Sequence, residues 1–507
     1  MKVQRIAVVG GGIAGLTAAY ELSRLARAGA AVEAVLFEAS ARFGGIVDTV
    51  REGGFTIEGG PDAWVTAKPW ARELAIELGL EDELMPSNDA ARKTHIFLTT
   101  KENPGGSLIA MPDGFQMMVP GDLGALAESE MFTSAAVAAY RAEPGRVAEL
   151  LAAVPEGDES VADFTRRHFG DEVLERVAAP LLSGVLGGDV ERLSVRAVMP
   201  AFVAMERQHG SLITALREAA KGRQKDEAIF TTLRSGLGAL VDALVSAVPP
   251  HWLRVQSAVT ALERSPEGGT WNISSRSGGH RATESFDAVL VATPLDVTRQ
   301  LLAQADSMAA ALLPVEASSA VLVAFAYADA GRVPLPPGFG FLVPPARQSP
   351  KNAARGAKCT EDFSAARASM LLACTFVDQK FEHRVPAGGR LVRAFFGGAA
   401  AERVAGCNND EIAAIAQMEL ARILRADAPL RGLAPVPLPV PAVTMVRRWP
   451  NSLPQYAVGH MERVEELEER LRTRAPGLVV LGNALHGVGI PDLIRDARAA
   501  ARALVQR

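Results

Sequence analysis

Residues 5–45 read RIAVVGGGIAGLTAAYELSRLARAGAAVEAVLFEASARFGG. Positions 6–9 are an apolar, strand-like run, and Gly10, Gly12 and Gly15 follow in G-x-G-x-x-G spacing. Residues 16–28 have helical composition, and 32–37 form a second apolar run that ends at Glu38. Strand, glycine turn, helix and second strand make a βαβ unit of dinucleotide-binding size. Gly10 permits the tight turn, Gly12 lets a pyrophosphate approach the backbone, and Gly15 lets helix and strand pack closely. Ile13 and Ala14, between the glycines, join the candidate cofactor set, and the first N–H groups and positive dipole end of the helix that follows suit phosphates. Glu38 lies roughly 20 residues past the last glycine, where an acid takes the ribose hydroxyls; that disfavours NADP.

The bulk numbers bound the rest. A chain of 507 residues is too long for one core, and 48% hydrophobic with 22% charged residues is a globular composition. A net charge of −5 gives no reason to expect nucleic-acid binding. No apolar run reaches the ~20 residues of a membrane span. Peripheral membrane contact through an apolar patch stays open. Glycines interrupt the first apolar region, which does not read as a signal peptide, so a cytoplasmic setting is expected. Cys359, Cys374 and Cys407 form no C-x-x-C, and the eight histidines lack ligand spacing, so no metal site is expected.

Several further stretches carry a family resemblance. EASARFGG, 38–45, resembles the extension found in the amine oxidase and porphyrinogen oxidase superfamily of flavoproteins. That implies FAD, with Ala39, Arg42 and Gly45 toward the cofactor. EGGPDAWVTAKP, 58–69, is similar to the flavin loop of the oxygen-dependent protoporphyrinogen and coproporphyrinogen oxidases. The likeness places Gly60, Pro61, Asp62 and Ala63 at the flavin and makes Lys68 a candidate for the substrate cavity. Family members carry a basic residue near the start of the strand–turn–strand at 92–112, for a substrate carboxylate. Arg92, Lys93 and His95 are the candidates. Residues 159–194 and RQHGSL, 207–212, resemble the family's helical domain. At Val259 the resemblance implies a backbone contact to the adenine. GFGFLVP, 338–344, is similar to the segment lining the porphyrinogen cavity, so Phe339, Gly340 and Leu342 are candidates for packing on the macrocycle.

RRWPNSLPQYAVGH, 447–460, and LVVLGNALHGVGIPDL, 478–493, resemble the C-terminal signatures. They add Trp449, Asn483, Val488, Gly489 and Ile490 to the cofactor set. His460 taken alone reads as a surface or capping residue. Residues 347–369 depart from the family and read as an insertion.

The resemblance implies an α/β fold. A Rossmann-type FAD-binding domain comes from 1–86, 227–300 and 440–507. An antiparallel-sheet substrate domain comes from 87–114 and 301–439, and a helical, membrane-associating domain from 115–226. It implies six-electron oxidation of a porphyrinogen in haem synthesis. Flavin N5 takes hydride, and molecular oxygen takes the electrons on to hydrogen peroxide. Protoporphyrinogen IX is the expected substrate and coproporphyrinogen III the alternative. No acid or base stands out as catalytic. An amine oxidase or carotenoid desaturase on the same fold, or a flavin- or porphyrin-binding chaperone, is the rival. A homodimer, or contact with the next haem-pathway enzyme, stays open.

Overall fold

The computed structural model describes residues 2–99, 105–220, 228–344, 370–434 and 437–505. The expected insertion at 347–369 lies outside them. The first strand, Gln4–Val9, pairs in parallel with Val32–Phe37 on one side and Ala288–Val291 on the other. Leu253–Arg254 and Leu478–Val480 complete a five-stranded parallel sheet at its two edges. Three separated stretches of chain therefore build one sheet. Its strand order reverses beside Gln4–Val9, which opens a ligand crevice at the carboxyl end of that strand.

Both faces of this sheet are covered, so its strands are apolar throughout rather than alternating. Ile6, Val8, Leu36 and Leu290 pack on one side against the helices Ile13–Arg27, Gly238–Ala247 and Ile490–Val505. Ala7, Val9, Phe37, Val289 and Val291 pack on the other against Trp271 and Phe286 of a three-stranded antiparallel sheet. The chain's two ends are also tied by charge. Buried Glu21 of the first helix accepts from Arg498 at 3.0 Å and Arg502 at 2.8 Å on the last.

A seven-stranded sheet runs in the order Val443–Pro454, Ala317–Tyr327, Arg390–Gly397, Ala373–Phe376, Gly340–Leu342, Thr94–Leu98, Ser107–Ala110. Every pair is antiparallel except Gly340–Leu342 with Thr94–Leu98, which is parallel. The antiparallel expectation holds with that one correction. Its physical reason is connectivity, because these two strands lie far apart in sequence and no hairpin sets their direction. One face packs on the helix Asn409–Asp427 through Ile412, Leu420 and Ile423. A capping box starts that helix, with Asn408 Oδ1 accepting from Glu411 N–H and the Glu411 carboxylate accepting from Asn408 N–H. The other face meets the hairpin Thr49–Glu52/Phe55–Glu58 through Phe55, Ile57, Leu322 and Ala324.

Residues between 134 and 220 form helices around Tyr140, Phe164, Phe169, Val177 and Leu212. No helix among the described residues is long and apolar enough to cross a membrane. The polar centre of this layer is His168, fully buried between two buried carboxylates. Its Nδ1 lies 3.1 Å from Glu143 and its Nε2 2.8 Å from Glu206. Ser211 Oγ and Leu212 N–H also donate to Glu143, and Arg167 donates to Glu206. A ring facing a carboxylate at each nitrogen holds both protons. Burial opposes this, but the two carboxylates outweigh it and raise the His168 pKa. A raised folded-state pKa gives stability that is complete below the free-histidine value of ~6.5 and is lost as pH rises through the folded value. The urea midpoint should therefore fall as pH climbs through and above neutrality. In His168→Gln that part of the pH dependence should disappear.

Candidate functional site

The three fingerprint glycines do different work. Gly10 has φ +106°, and a Cβ there would lie 2.4 Å from Ala292 O. A Cβ on Gly15 would lie 1.9 Å from Gly10 O. Both positions are closed by packing. A Cβ on Gly12 would meet nothing within 4 Å, although φ there is an ordinary −72°. Packing therefore does not explain Gly12; an approaching ligand does. Gly12 caps the helix Ile13–Arg27 without a side-chain hydrogen bond, so the first-turn N–H groups at Ile13, Ala14 and Gly15 suit an anion.

Glu38 stands at the end of the second strand. Its carboxylate accepts from Gly11 N–H at 2.7 Å and Ser40 N–H at 2.7 Å, which fixes its orientation beside the glycine turn. Its backbone carbonyl accepts from Ser257 N–H at 2.8 Å. That bond brings Val259, half-buried at a bulge two residues further on, to the same end of the cleft. Ala39 is exposed there. Arg42 acts on its own loop, donating to Gly45 O at 2.6 Å, Val47 O at 3.0 Å and Phe43 O at 3.1 Å. Its guanidinium holds residues 42–47 in shape.

The remaining expected cofactor residues converge from both ends of the chain. Gly12 and Gly44 form a β-bridge, and a Cβ on Gly45 would lie 3.2 Å from Gly12 Cα. A Cβ on Gly60 would lie 1.9 Å from Ile46 O, so the loop at 59–63 rests directly on the loop at 42–47. Trp449 Nε1 donates to Gly59 O at 2.7 Å. Asn483 Nδ2 donates to Ser452 O at 2.7 Å, and Tyr456 donates to Asn483 O at 2.6 Å. Residues 487–489 then lead into the last helix; Gly487 has φ +149°, and a Cβ there would lie 2.8 Å from the Asp492 carboxylate. Touching loops thus run from Glu38 past Gly12 and Gly45 to Gly60.

Two expected residues have partners that the sequence did not suggest. Lys68 Nζ lies 2.6 Å from Asp492 Oδ2, tying the 58–69 segment to the first turn of the last helix. The Asp62 carboxylate turns to Lys380 at 3.2 Å and Arg393 at 3.1 Å. Burial would raise its pKa, but these two cations outweigh burial and hold it at about 2. With the Asp62 side chain so occupied, Pro61, Asp62 and Ala63 offer a ligand chiefly their backbone.

The substrate-side candidates do not form one patch. Arg92 and Lys93 are exposed at the start of the Thr94–Leu98 strand. His95 is buried in it, where burial pushes its pKa down and keeps the ring neutral. Phe339 is buried and bonded through its backbone to Lys93 O and Phe376 N–H. A Cβ on Gly340 would lie 2.1 Å from Cys374 O, so that glycine serves sheet packing. Leu342 is the one that faces the helical layer, since its Cδ2 would lie 2.8 Å from a Cβ on Gly184. His460 corrects the surface or capping reading. It is 1% exposed, stacks on Tyr456 at 4.1 Å and bonds Leu485 O at 2.8 Å. Sequence reasoning missed Lys380, Arg384 and Arg393. The available signal was Arg393 as a charged residue within the apolar run LVRAFF.

Comparison with known proteins agrees with this geometry. Residues 13–505 match the model of the flavin containing amine oxidoreductase family. The chain belongs to that family. FAD is accordingly the cofactor of this amine oxidoreductase-type fold, and the open Gly12 and uncapped first turn fit its pyrophosphate. The chain is 30% identical over 504 residues to the coproporphyrinogen III oxidase of Bacillus subtilis (strain 168), covering 98% of this chain and 97% of that one. It is 29% identical to the protoporphyrinogen oxidase of Bos taurus, covering 98% of each. A solved structure named "Putative protoporphyrinogen oxidase", from Exiguobacterium sp. 255-15, superposes with a TM-score of 0.79 at 28% identity over 100% of this chain and 99% of that one.

Proposed function

We propose that this flavoenzyme oxidises coproporphyrinogen III to coproporphyrin III, with oxygen as the electron acceptor. The observation that carries this reading is full-length similarity to coproporphyrinogen III oxidases from several bacteria, at 26–30% identity. It moves the substrate from the expected protoporphyrinogen IX to the alternative. The two differ by propionates against vinyls on two pyrroles, so the preferred substrate carries more carboxylates. Exposed Arg92 and Lys93 are the basic groups of the expected set free to swing toward them.

Glu38 and Val259 would hold the adenosine end of FAD, and Gly12 with the N–H groups of Ile13, Ala14 and Gly15 the pyrophosphate. Gly45, residues 60–63, Trp449, Asn483 and residues 488–490 would surround the ring system. Bound there, FAD supplies two-electron oxidation, the hard chemistry that no side chain of this site provides. The protein contributes position and enclosure. The Leu342–Gly184 contact closes the helical layer onto the sheet, and the apolar wall suits a flat tetrapyrrole.

Adding coproporphyrinogen III to the oxygen-free holoenzyme should bleach the flavin absorbance within the time of turnover. A flavin or porphyrin carrier without activity would stay yellow, and that result would reject the proposal.

A further inference from the structure

Behind the loop at 59–63 lies a group of charges taken from three parts of the chain. Asp62 is held by Lys380 at 3.2 Å and Arg393 at 3.1 Å, and Arg393 also donates to Gly60 O. Glu58, 3% exposed, pairs with Arg384, 1% exposed, at 2.7 Å. Thr232 links the two pairs, accepting from Arg384 at 2.7 Å and donating to Asp62 O at 2.8 Å. Lys380 is 7% and Arg393 2% exposed, and Lys380 also sits over the Phe230 ring at 4.3 Å. Three cations thus face two carboxylates. Two neighbouring pairs, Arg447–Asp48 at 2.6 Å and Arg390–Asp378 at 3.3 Å, are each neutral. Arg384 Nε and Arg393 Nε are buried with no hydrogen-bond partner, although both residues lie deep in low-dielectric surroundings.

Uncompensated buried charge costs folding free energy. A structural pin would be served as well by equal numbers of each sign. We propose that this buried positive excess raises the reduction potential of FAD bound with its ring against the 59–63 loop, as proposed above, with Lys380 and Arg393 as positioning residues for that loop. Reduction adds negative charge to the cofactor, and a cation held beside it in low dielectric favours the reduced side of that equilibrium. Arg393 performs both tasks at once, because its fork grips Gly60 O and Asp62 together. The inference rests on the ring placement given above and not on which porphyrinogen is the substrate.

The test is a dye-coupled photometric titration of the flavin potential in holoenzyme variants, matched by flavin content. Lys380→Met keeps the apolar stem but removes one positive charge. It should shift the oxidised-to-reduced equilibrium at least tenfold toward oxidised, about 30 mV for a two-electron couple. Asp62→Asn removes one negative charge and should move it the opposite way. Arg393→Lys keeps the charge and loses the fork, so it should weaken FAD retention while leaving the potential near wild type. Shifts of the same sign in Lys380→Met and Asp62→Asn would mean loop distortion and overturn the idea. An unchanged potential in Lys380→Met with flavin fully retained would overturn it too. Because potentials need no turnover, either result leaves the substrate proposal to be judged separately.

Discussion

Gly12→Val is expected to yield a folded but nearly flavin-free protein. A Cβ at Gly12 would meet no protein atom within 4 Å, and its φ of −72° is available to any residue. The apoprotein should therefore keep its unfolding free energy to within about 1 kcal/mol, the range of an unfavourable N-cap residue. The bulk would instead stand between the phosphates and the first-turn N–H groups. Losing two charge-assisted hydrogen bonds, about 1.5–3 kcal/mol each, weakens FAD binding at least about a hundredfold. Gly15→Ala makes the contrast. Its Cβ would lie 1.9 Å from Gly10 O, a backbone atom that cannot rotate away, so fold and cofactor should suffer together. Equilibrium FAD titration of the apoproteins, beside their melting curves, separates the two. Gly12→Val losing stability as heavily as Gly15→Ala would show that both glycines are packing residues.

Arg384→Met should be the most destabilising single change outside the glycine turn. Arg384 is buried against Glu58, which also accepts from Leu237 N–H at 2.8 Å and Thr49 Oγ1 at 2.6 Å. Removing the guanidinium leaves a buried carboxylate with neutral donors only, and breaking such a pair costs about 3–5 kcal/mol. Denaturant unfolding should register that loss. The double variant Glu58→Gln/Arg384→Met should recover a substantial part, because it removes the stranded charge as well. Additive losses in that cycle would mean the pair is uncoupled and the stability resides in the surrounding backbone bonds.

The residues differ in how readable they were, and the reason is separation along the chain. Gly10, Gly12, Gly15 and Glu38 act within one βαβ unit, so their spacing in sequence is their geometry. The strand, glycine turn and helix around residues 488–490 were readable for the same reason, since they follow in order along the chain. Lys68 stood out as a residue, but its partner Asp492 is 424 positions away, and nothing local announces it. Asp62 and Lys380 are separated by 318 positions. Arg384 sits in FEHRVP, a polar stretch that reads as surface, yet it is 1% exposed. His460 was misread for the same cause, since its burial comes from Tyr456 and Leu485 closing over it. Local pattern fixes elements and glycine turns; which charges are brought inside depends on the packing of remote segments.

The central claim is tested most directly by aerobic turnover of the purified holoenzyme with coproporphyrinogen III and protoporphyrinogen IX side by side. Porphyrin fluorescence and hydrogen peroxide would be followed together. The account predicts a clear preference for coproporphyrinogen III, with about three peroxides per porphyrin as successive two-electron turnovers require. Preference for protoporphyrinogen IX would reverse the substrate assignment. No turnover of either by enzyme with intact bound FAD would contradict the account as a whole.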